Sequence, residues 1–279
     1  MDKQAVRETV WDAVEERGEA RFPFPPHDRI PNFAGADAAC DRLTDTETWA
    51  TATTLKCNPD APQLPVRRAA LRAGKTVYVA QPRLRDGDPF LRLDPADIAP
   101  GEIDDATTVS GISTHGTPVP PEDVPHIDLV IAGSVGVTTD GARIGKGEGY
   151  SDLEWGVLSE LGAVDREAQS ASGSEGQSPS GNRASPGDSR AKPDDDATAV
   201  ATTVHELSVL DGPQSPIADT AELPAPDAHD VPLDLVVTPE RTIGTDTPYP
   251  RPEGIDWDVL DDETLNTIPV LSERAQRRE

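Results

Sequence analysis

The sequence predicts an α/β fold in which helices cover both faces of a mostly parallel sheet. Short apolar strands alternate with helices along the chain, a pattern typical of parallel pairing. The run Ile127 to Ala132 is almost continuously apolar, as strands buried on both faces are. A glycine-rich loop from Gly141 to Asp152 follows that strand and precedes a helix. Ligands of such sheets bind at the carboxyl ends of the strands, so we expect the loop to lie near a binding site.

The first element is predicted to be a helix over residues 3 to 17. Its apolar residues recur at helical spacing, at Val6, Val10, Trp11 and Val14. Lys3 and Arg7 are four residues apart and therefore share one face of this helix. Proline-rich residues 22 to 26 break the helix, and a second, short helix is expected over residues 35 to 43.

The remaining pattern alternates between strands and helices. We predict a strand from Trp49 to Cys57, a helix from Pro65 to Ala73 ended by Gly74, a strand from Thr76 to Ala80, a helix from Asp152 to Leu161, a strand within Thr198 to Glu206 and a strand from Leu233 to Thr238. We expect residues 1–165 and 197–279 to form a single domain. Residues 166–196 are rich in Ser, Gly, Pro and Asp and have almost no large apolar side chains. Such a segment cannot bury enough surface to offset its ordering entropy, so we predict a disordered insertion, with an acidic tether as the alternative.

The chain is strongly acidic, with 51 acidic and 25 basic residues and a formal net charge of −26. The acidic residues are spread along the chain rather than gathered in a tail, which is typical of proteins from a salt-loaded, halophilic cytoplasm. There is no apolar run long enough for a transmembrane helix and no signal peptide, so we expect a cytoplasmic protein without a membrane partner. The absence of a basic surface argues against a nucleic-acid partner but leaves room for a local anion site.

Other site classes have little support. Cys40 and Cys57 form no paired motif and are interpreted as packed residues. The five histidines show no metal-ligand spacing, and no Ser-His-Asp or Cys-His arrangement can be read from the chain.

The glycine-rich loop carries the strongest functional signal. Gly145, Gly147 and Gly149 let backbone N–H groups point at an anion with no Cβ in the way. Arg143 and Lys146 add positive charge, and the following helix contributes the partial positive charge of its N-terminus. The spacing matches neither a P-loop nor a dinucleotide fingerprint. We therefore predict a nucleotide-phosphate site, the alternative being a tight connection without a ligand.

One carboxylate at the end of the loop has two interpretations. Asp152 stands where it could hold Mg²⁺, although it could equally be the N-cap of the following helix.

At this point the chain resembles the 5-formyltetrahydrofolate cyclo-ligase family, also called methenyltetrahydrofolate synthetases. That family carries the signature Gly-x-Arg-x-Gly-x-Gly-x-Gly-Tyr-Tyr-Asp, matched here by Gly141, Arg143, Gly145, Gly147, Gly149, Tyr150 and Asp152. Its first helix carries Lys and Arg four apart, as Lys3 and Arg7 are, and its C-terminal part resembles residues 229–238. The sequence is closer still to the divergent methenyltetrahydrofolate synthetase domain-containing branch, in Arg29-Ile30-Pro31-Asn32-Phe33, Asn58-Pro59-Asp60, Pro82-Arg83-Leu84 and Gly145 to Glu154.

The resemblance implies a Rossmann-like three-layer sandwich of the sugar-isomerase and CoA-transferase type. It also implies ATP-dependent cyclisation of 5-formyltetrahydrofolate, or a related formyl-pterin, to the 5,10-methenyl product, with Mg²⁺. By the same resemblance, phosphates would be gripped by Lys3, Arg7, Arg143 and Lys146 and lined by Gly145, Gly147 and Gly149. Asp152 would hold Mg²⁺, and Tyr150 would pack on the substrate or hydrogen-bond it. The alternatives are a solvated helix face for Lys3 and Arg7 and a core position for Tyr150.

The chain departs from the family signature on the substrate side. Pro59 stands where the family has a folate-contacting Glu, Ser151 replaces the second Tyr, and Leu153 replaces a later Arg. Gly133-Ser134 and Thr138 also replace family residues before the signature. These departures motivate the second hypothesis, a non-catalytic nucleotide- or folate-binding module. A third, an RNA-associated regulator, is suggested only by branch members with an RNA-recognition domain; we expect no such domain after this core.

Overall fold

The computed structural model describes residues 1–81, 84, 86–165, 197–218, 220 and 223–278. The predicted insertion, residues 166–196, lies outside these ranges, as does part of the Pro82-Arg83-Leu84 motif.

The helices and strands alternate over most of the described chain. The helices are α1 (Lys3–Glu16), α2 (Ala36–Thr44), α3 (Glu47–Thr51), α4 (Leu64–Arg72), α5 (Ile103–Ala106), α6 (Val109–His115), α7 (Tyr150–Glu160), α8 (Asp262–Thr267) and α9 (Pro269–Arg278). The strands are β1 (Ala20–Arg21), β2 (Asn32–Phe33), β3 (Thr54–Cys57), β4 (Thr76–Ala80), β5 (Phe90–Leu93), β6 (Thr117–Val119), β7 (Leu129–Ile131), β8 (Gly136–Val137), β9 (Arg143–Ile144), β10 (Ala199–Thr203), β11 (Leu235–Val237) and β12 (Thr242–Gly244).

Within the residues that the structure describes, eight strands form the main sheet, in the order β12-β11-β10-β7-β3-β4-β5-β6. The five strands from β11 to β4 are parallel. The outer strands β12, β5 and β6 are antiparallel to their inner neighbours. This confirms the predicted mostly parallel sheet.

The order of the parallel strands creates a crevice between β3 and β7. The chain passes from β3 to β4 on one side and then returns to β7, β10 and β11 on the other. Where the order reverses, the connections leave the sheet in opposite directions, and the carboxyl ends of the strands bound an open crevice. The residues that follow β3 and β7 are therefore placed to line a ligand site.

Alternate strand residues pack against helices on opposite faces of the sheet, because side chains along a strand point alternately to the two sides. One face buries Leu55, Val77 and Leu129 against α2, α4, α5 and α6. The other buries Tyr78 and Val130 against α7 and α9. These two cores establish the three-layer arrangement.

The first helix sits at the rim of the sheet rather than on either face. The Asp2 carboxylate caps it by accepting from the Ala5 N–H at 2.8 Å. Its apolar stripe packs on Val135, Ile144, Leu207 and Leu210. Since the stripe is buried there, the face that carries Lys3 and Arg7 is directed to the loop at β9. No helix of the described chain is long and apolar enough to cross a membrane.

The predicted strand from Trp49 to Cys57 is wrong in its first half. Glu47–Thr51 forms α3, whose N-cap Thr46 accepts a hydrogen bond from the Trp49 N–H at 3.2 Å. The side-chain cap offers this threonine-rich stretch a helical alternative to sheet pairing. The helix after the loop also begins two residues earlier than predicted, at Tyr150. The outer strands β5, β6 and β12 and the C-terminal helices were not predicted from the sequence.

Candidate nucleotide and substrate cleft

A cleft of about 470 Å³ opens at the crevice between β3 and β7. It is bounded by the residues after β3, by Gly133 after β7, by the glycine-rich loop and by α1. Its size is within the range of small-molecule sites. Every site residue predicted from the sequence lines it: Lys3, Arg7, Arg143, Gly145, Lys146, Gly147, Gly149, Tyr150 and Asp152.

Four consecutive loop residues present free backbone donors. Within the described part of the chain, no hydrogen bond is made by the N–H groups of residues 146–149. Gly149 is the N-cap of α7 and has φ +74°, a left-handed conformation that favours glycine. Free N–H groups at the start of a helix attract anions because both the donors and the helix dipole favour negative charge.

Arg7 of α1 holds the loop from the opposite side. Its Nε donates to the Gly145 carbonyl at 2.7 Å. A Cβ at Gly147 would lie 3.1 Å from the Arg7 Cζ, so the loop backbone packs directly against the guanidinium. Gly147 also has φ +103°. Burial lowers the pKa of Arg7, but a guanidinium remains cationic at neutral pH. The Lys3 and Arg7 face is therefore part of the cleft and not a solvated helix face.

Lys3 is held by two carboxylates at the cleft rim. Its Nζ donates to Asp227 Oδ2 at 2.7 Å and to Asp230 Oδ2 at 2.5 Å. Burial by itself would lower the pKa of Lys3, but the hydrogen bonds to the two carboxylates and their negative charges together outweigh it and raise the pKa. Asp227, His229 and Asp230 have ligand atoms within 4.8 Å of one another. Since the Lys3 ammonium already bridges the two carboxylates, this group is an ion-pair cluster.

Lys146 and Arg143 differ sharply in their surroundings. The Lys146 Nζ lies 2.6 Å from Glu148 Oε2, and about a third of its side chain (32%) is exposed. Arg143 is 3% exposed. It donates to the Gly133 carbonyl at 3.0 Å, to the Val231 carbonyl at 3.4 Å and to Asp152 Oδ1. Arg143 therefore ties the loop to the end of β7 and to the segment before β11.

Asp152 lies in the first turn of α7 but is not its cap, because Gly149 occupies the N-cap position. Its Oδ1 accepts from Arg143 and, at 3.3 Å, from the Val231 N–H. Tyr150, the first residue of α7, lines the cleft and also packs against the core beneath it. The core contact of Tyr150 is therefore present, while its contact with a substrate stays a prediction.

A buried charged cluster at the floor of the cleft was not predicted from the sequence. Lys56 is 2% exposed and forms an ion pair with Glu154. Asn58 Nδ2 donates to Glu154 Oε2 at 3.2 Å, and Asn58 Oδ1 lies 3.4 Å from the Lys56 Nζ. Lysine in the middle of the strand Thr54–Cys57, where its neighbours are apolar, was the signal that could have revealed the cluster.

Asp60 is the second missed residue. It follows β3, lines the cleft, and its carboxylate makes no hydrogen bond or ion pair with any described residue. Desolvation raises the pKa of Asp60, while the charges of Lys146 and Arg67 oppose the rise. A desolvated carboxylate without a partner in a cleft is a candidate functional group.

Of the residues that depart from the family pattern, Pro59 and Ser151 line the cleft, whereas Leu153 packs against the core.

The fold and the cleft define an α/β protein with a cleft of small-molecule size at the switch point of its sheet and free backbone donors along one wall. The chain belongs to the 5-formyltetrahydrofolate cyclo-ligase family, whose model matches residues 1–171. This confirms the resemblance noted in the sequence.

Relatives of known name agree with this assignment. The chain is 36% identical over 281 residues to a methenyltetrahydrofolate synthase domain-containing protein of Mus musculus, covering 99% of this chain and 64% of that protein. A protein of the same name from Bos taurus is 35% identical over 283 residues, covering 100% and 63%. The chain thus spans slightly less than two thirds of these relatives. A solved structure of Aquifex aeolicus 5,10-methenyltetrahydrofolate synthetase is similar at 14% identity and a TM-score of 0.46, over 88% of this chain and 93% of that one.

Proposed function

We propose that this protein is an ATP- and Mg²⁺-dependent ligase that cyclises 5-formyltetrahydrofolate, or a related formyl-pterin, to the 5,10-methenyl product. The observation that carries the proposal is the row of free N–H groups at residues 146–149, at the start of α7 and inside a cleft at the sheet's switch point. Family membership supports the class of substrate.

The phosphate side of the proposed site consists of the loop and α1. The free N–H groups would bind phosphate oxygens, and Arg7 and Lys146 would supply positive charge beside them. Lys3 would contribute from the rim, where Asp227 and Asp230 hold its ammonium in place. Arg143 has a positioning role in this proposal, because its donors already bind protein acceptors.

The residues present also suit Mg²⁺. Among the described residues, six carboxylates and four cationic side chains line the cleft, so a polyphosphate would meet excess negative charge there. Carboxylate oxygens are preferred ligands of this hard cation. Asp152 would hold the ion, since Arg143 and the Val231 N–H fix its carboxylate at the cleft. When bound, Mg²⁺ neutralises charge on the transferring phosphoryl group.

In the proposed reaction, the formyl oxygen attacks the terminal phosphorus of ATP and ADP leaves. The second folate nitrogen then attacks the formyl carbon, loses its proton and closes the ring, and the former formyl oxygen departs within inorganic phosphate. Phosphoryl transfer depends on positioning and charge neutralisation rather than on a protein nucleophile. A loop of N–H donors with flanking cations supplies both.

The opposite wall of the cleft would receive the pterin. Asp60 offers an unpaired carboxylate there, and a carboxylate accepts hydrogen bonds from the N–H groups of such a ring. Tyr150 would pack beside the substrate at the start of α7.

A non-catalytic nucleotide- or folate-binding module is the second candidate. It is favoured by Leu153, which packs in the core where the family has an arginine shortly after its signature, so this position supplies no cation to the cleft.

The test is to incubate the purified protein at molar KCl with ATP, Mg²⁺ and 5-formyltetrahydrofolate and to follow the absorbance of the methenyl product. A rise that requires ATP and is lost in Lys146→Ala and Asp152→Ala would support the ligase. Circular dichroism would establish that each variant is folded.

Two other outcomes have different meanings. ATP binding without turnover of any reduced formyl-pterin would support the non-catalytic module. A folded protein that binds neither ATP nor a folate would overturn both candidates.

A further inference from the structure

An ion pair occupies the glycine-rich loop itself. Glu148 Oε2 lies 2.6 Å from the Lys146 Nζ, and both side chains line the cleft on either side of Gly147. The Glu148 carboxylate thus neutralises the loop lysine at the place where phosphate oxygens would bind. Nothing in the phosphate chemistry of the loop requires an acidic residue there.

The other cations of the cleft are also engaged. Lys3 binds Asp227 and Asp230, and Arg143 binds Asp152. Arg7, in contrast, donates to uncharged oxygens, namely the Gly145 carbonyl and the Gln4 side-chain amide. A ligand anion therefore enters a cleft in which negative side chains outnumber positive ones and the loop lysine is already paired.

Coulomb repulsion from Glu148 scales with the charge of the ligand. ATP without a metal carries about two more negative charges than its Mg²⁺ complex, because the divalent cation cancels two. The same carboxylate therefore disfavours the metal-free nucleotide more strongly than the metal complex. Glu148 would thus discriminate between the two forms of ATP by their charge, while the free N–H groups of residues 146–149 attract the phosphates of both.

We propose that Glu148 is a specificity-determining residue that makes the loop select metal-complexed polyphosphate over the metal-free form. This inference rests on the proposed nucleotide site. It differs from a metal-ligand role for Glu148, in which loss of the carboxylate would weaken binding of the metal complex.

The experiment measures the dissociation constant of ATP by isothermal titration calorimetry, once with excess Mg²⁺ and once with EDTA, for the wild-type protein and for Glu148→Gln. The ratio of the metal-free to the metal-bound constant is expected to fall by about fivefold to tenfold in the variant. Most of the change should come from tighter binding of metal-free ATP. The fall should shrink as KCl is raised, because salt screens charges at this exposed position.

Glu102→Gln is the matched control, because Glu102 is exposed and lies outside the cleft. It should leave the ratio unchanged. A Glu148→Gln ratio equal to that of wild type, or weaker binding of the Mg²⁺ complex, would overturn the inference while leaving the nucleotide site intact. Wild-type protein that binds neither form of ATP would overturn the inference and the proposed function together.

Discussion

At the residue scale, two basic side chains of one short motif have different physical situations. Arg143 is buried, with acceptors on three segments, whereas Lys146 is partly exposed and paired with its neighbour Glu148. The planar guanidinium can donate to several fixed acceptors at once, whereas an ammonium on a flexible stem can adjust to a ligand that binds reversibly.

Arg143→Ala and Lys146→Ala should therefore separate stability from binding. Removing Arg143 leaves the Asp152 carboxylate without its partner, and we expect the free energy of unfolding to fall by about 3 kcal/mol. Lys146→Ala should change it by less than about 1 kcal/mol but weaken ATP binding about tenfold. Urea denaturation and calorimetry check the two effects. Equal losses of stability in both variants would contradict the distinction.

The ionised Asp60 carboxylate is predicted to lower the free energy of unfolding of the ligand-free protein. Desolvation raises its pKa above the unfolded value. The native state then binds the proton more tightly, so stability falls as pH rises from the unfolded pKa through the folded one. Asp60→Asn removes this penalty and should raise the Tm at pH 7.

The same substitution should no longer raise the Tm at low pH, because the wild-type Asp60 carboxyl is then neutral in both the folded and the unfolded state. Thermal unfolding by circular dichroism between pH 3 and pH 7 checks this, with the exposed Asp41→Asn as the control. A lower Tm of Asp60→Asn at pH 7 would show that the Asp60 carboxylate stabilises the fold.

At the element scale, a buried charge pair joins the central strand β3 to the helix that follows the loop. Lys56 lies opposite Tyr78 of β4 and Val130 of β7 in the sheet. Its ammonium reaches Glu154 on α7. The pair fixes where α7 begins relative to the crevice, and with it the position of the free N–H groups.

Removing one member of this pair should lower the free energy of unfolding more than replacing both members by apolar residues. Glu154→Leu leaves a buried ammonium, and we expect a loss of about 3 to 5 kcal/mol. Lys56→Met/Glu154→Leu should recover most of that loss, because two apolar side chains leave no unpaired charge. A double-mutant cycle by urea denaturation gives the coupling energy. Additive losses would mean that the two groups act independently.

At the scale of the whole molecule, the excess of acidic residues is the dominant electrostatic feature. The net charge is −26, and the excess negative charges repel one another in the compact folded state. Ion pairs such as Arg72 with Asp104, at 2.6 Å, offset only part of this repulsion, and only locally. The solvent must screen the remainder.

The Tm should accordingly rise by several degrees between 0.1 M and 2 M KCl, as the Debye length shortens to about 3 Å or less. Differential scanning calorimetry measures the change. An uncharged osmolyte at the same osmolality is the control for general solvent effects. An equal rise with the osmolyte would assign the effect to solvent exclusion rather than to charge screening.

We propose that residues 1–165 and 197–279 form one domain. β10 pairs with β7, and β11 pairs with β10, so both strands continue the same sheet. Asp165 and Thr198 bond each other on either side of the intervening segment, through backbone N–H groups to side-chain oxygens at 3.0 and 2.9 Å. The chain therefore leaves and re-enters this domain at one place.

Replacing residues 166–196 by about six Gly and Ser residues should leave the Tm within a few degrees, because a short flexible linker spans neighbouring ends easily. Thermal unfolding checks this. A variant that combines this replacement with Thr198→Val should unfold at lower temperature, since the junction loses the hydrogen bond from the Asp165 N–H to the Thr198 hydroxyl. Failure of the first variant to fold would show that the segment contributes to the domain.

The sequence by itself determined the fold class and the location of the loop. Apolar periodicity identified β4 with its observed bounds and placed β7, β10 and β11, because buried strands must be apolar whatever their partners. Glycine spacing identified the loop, because few other residues allow such backbone conformations.

Only the tertiary structure decided what each charged residue does. Arg143, Lys146 and Glu148 are near neighbours in the chain, yet their roles depend on which distant acceptors and which solvent surround them. Lys56 and Glu154 are far apart in sequence, and Asp60 owes its raised pKa to burial in the cleft. Local pattern encodes periodicity and backbone conformation, whereas desolvation and charge pairing arise when remote segments meet.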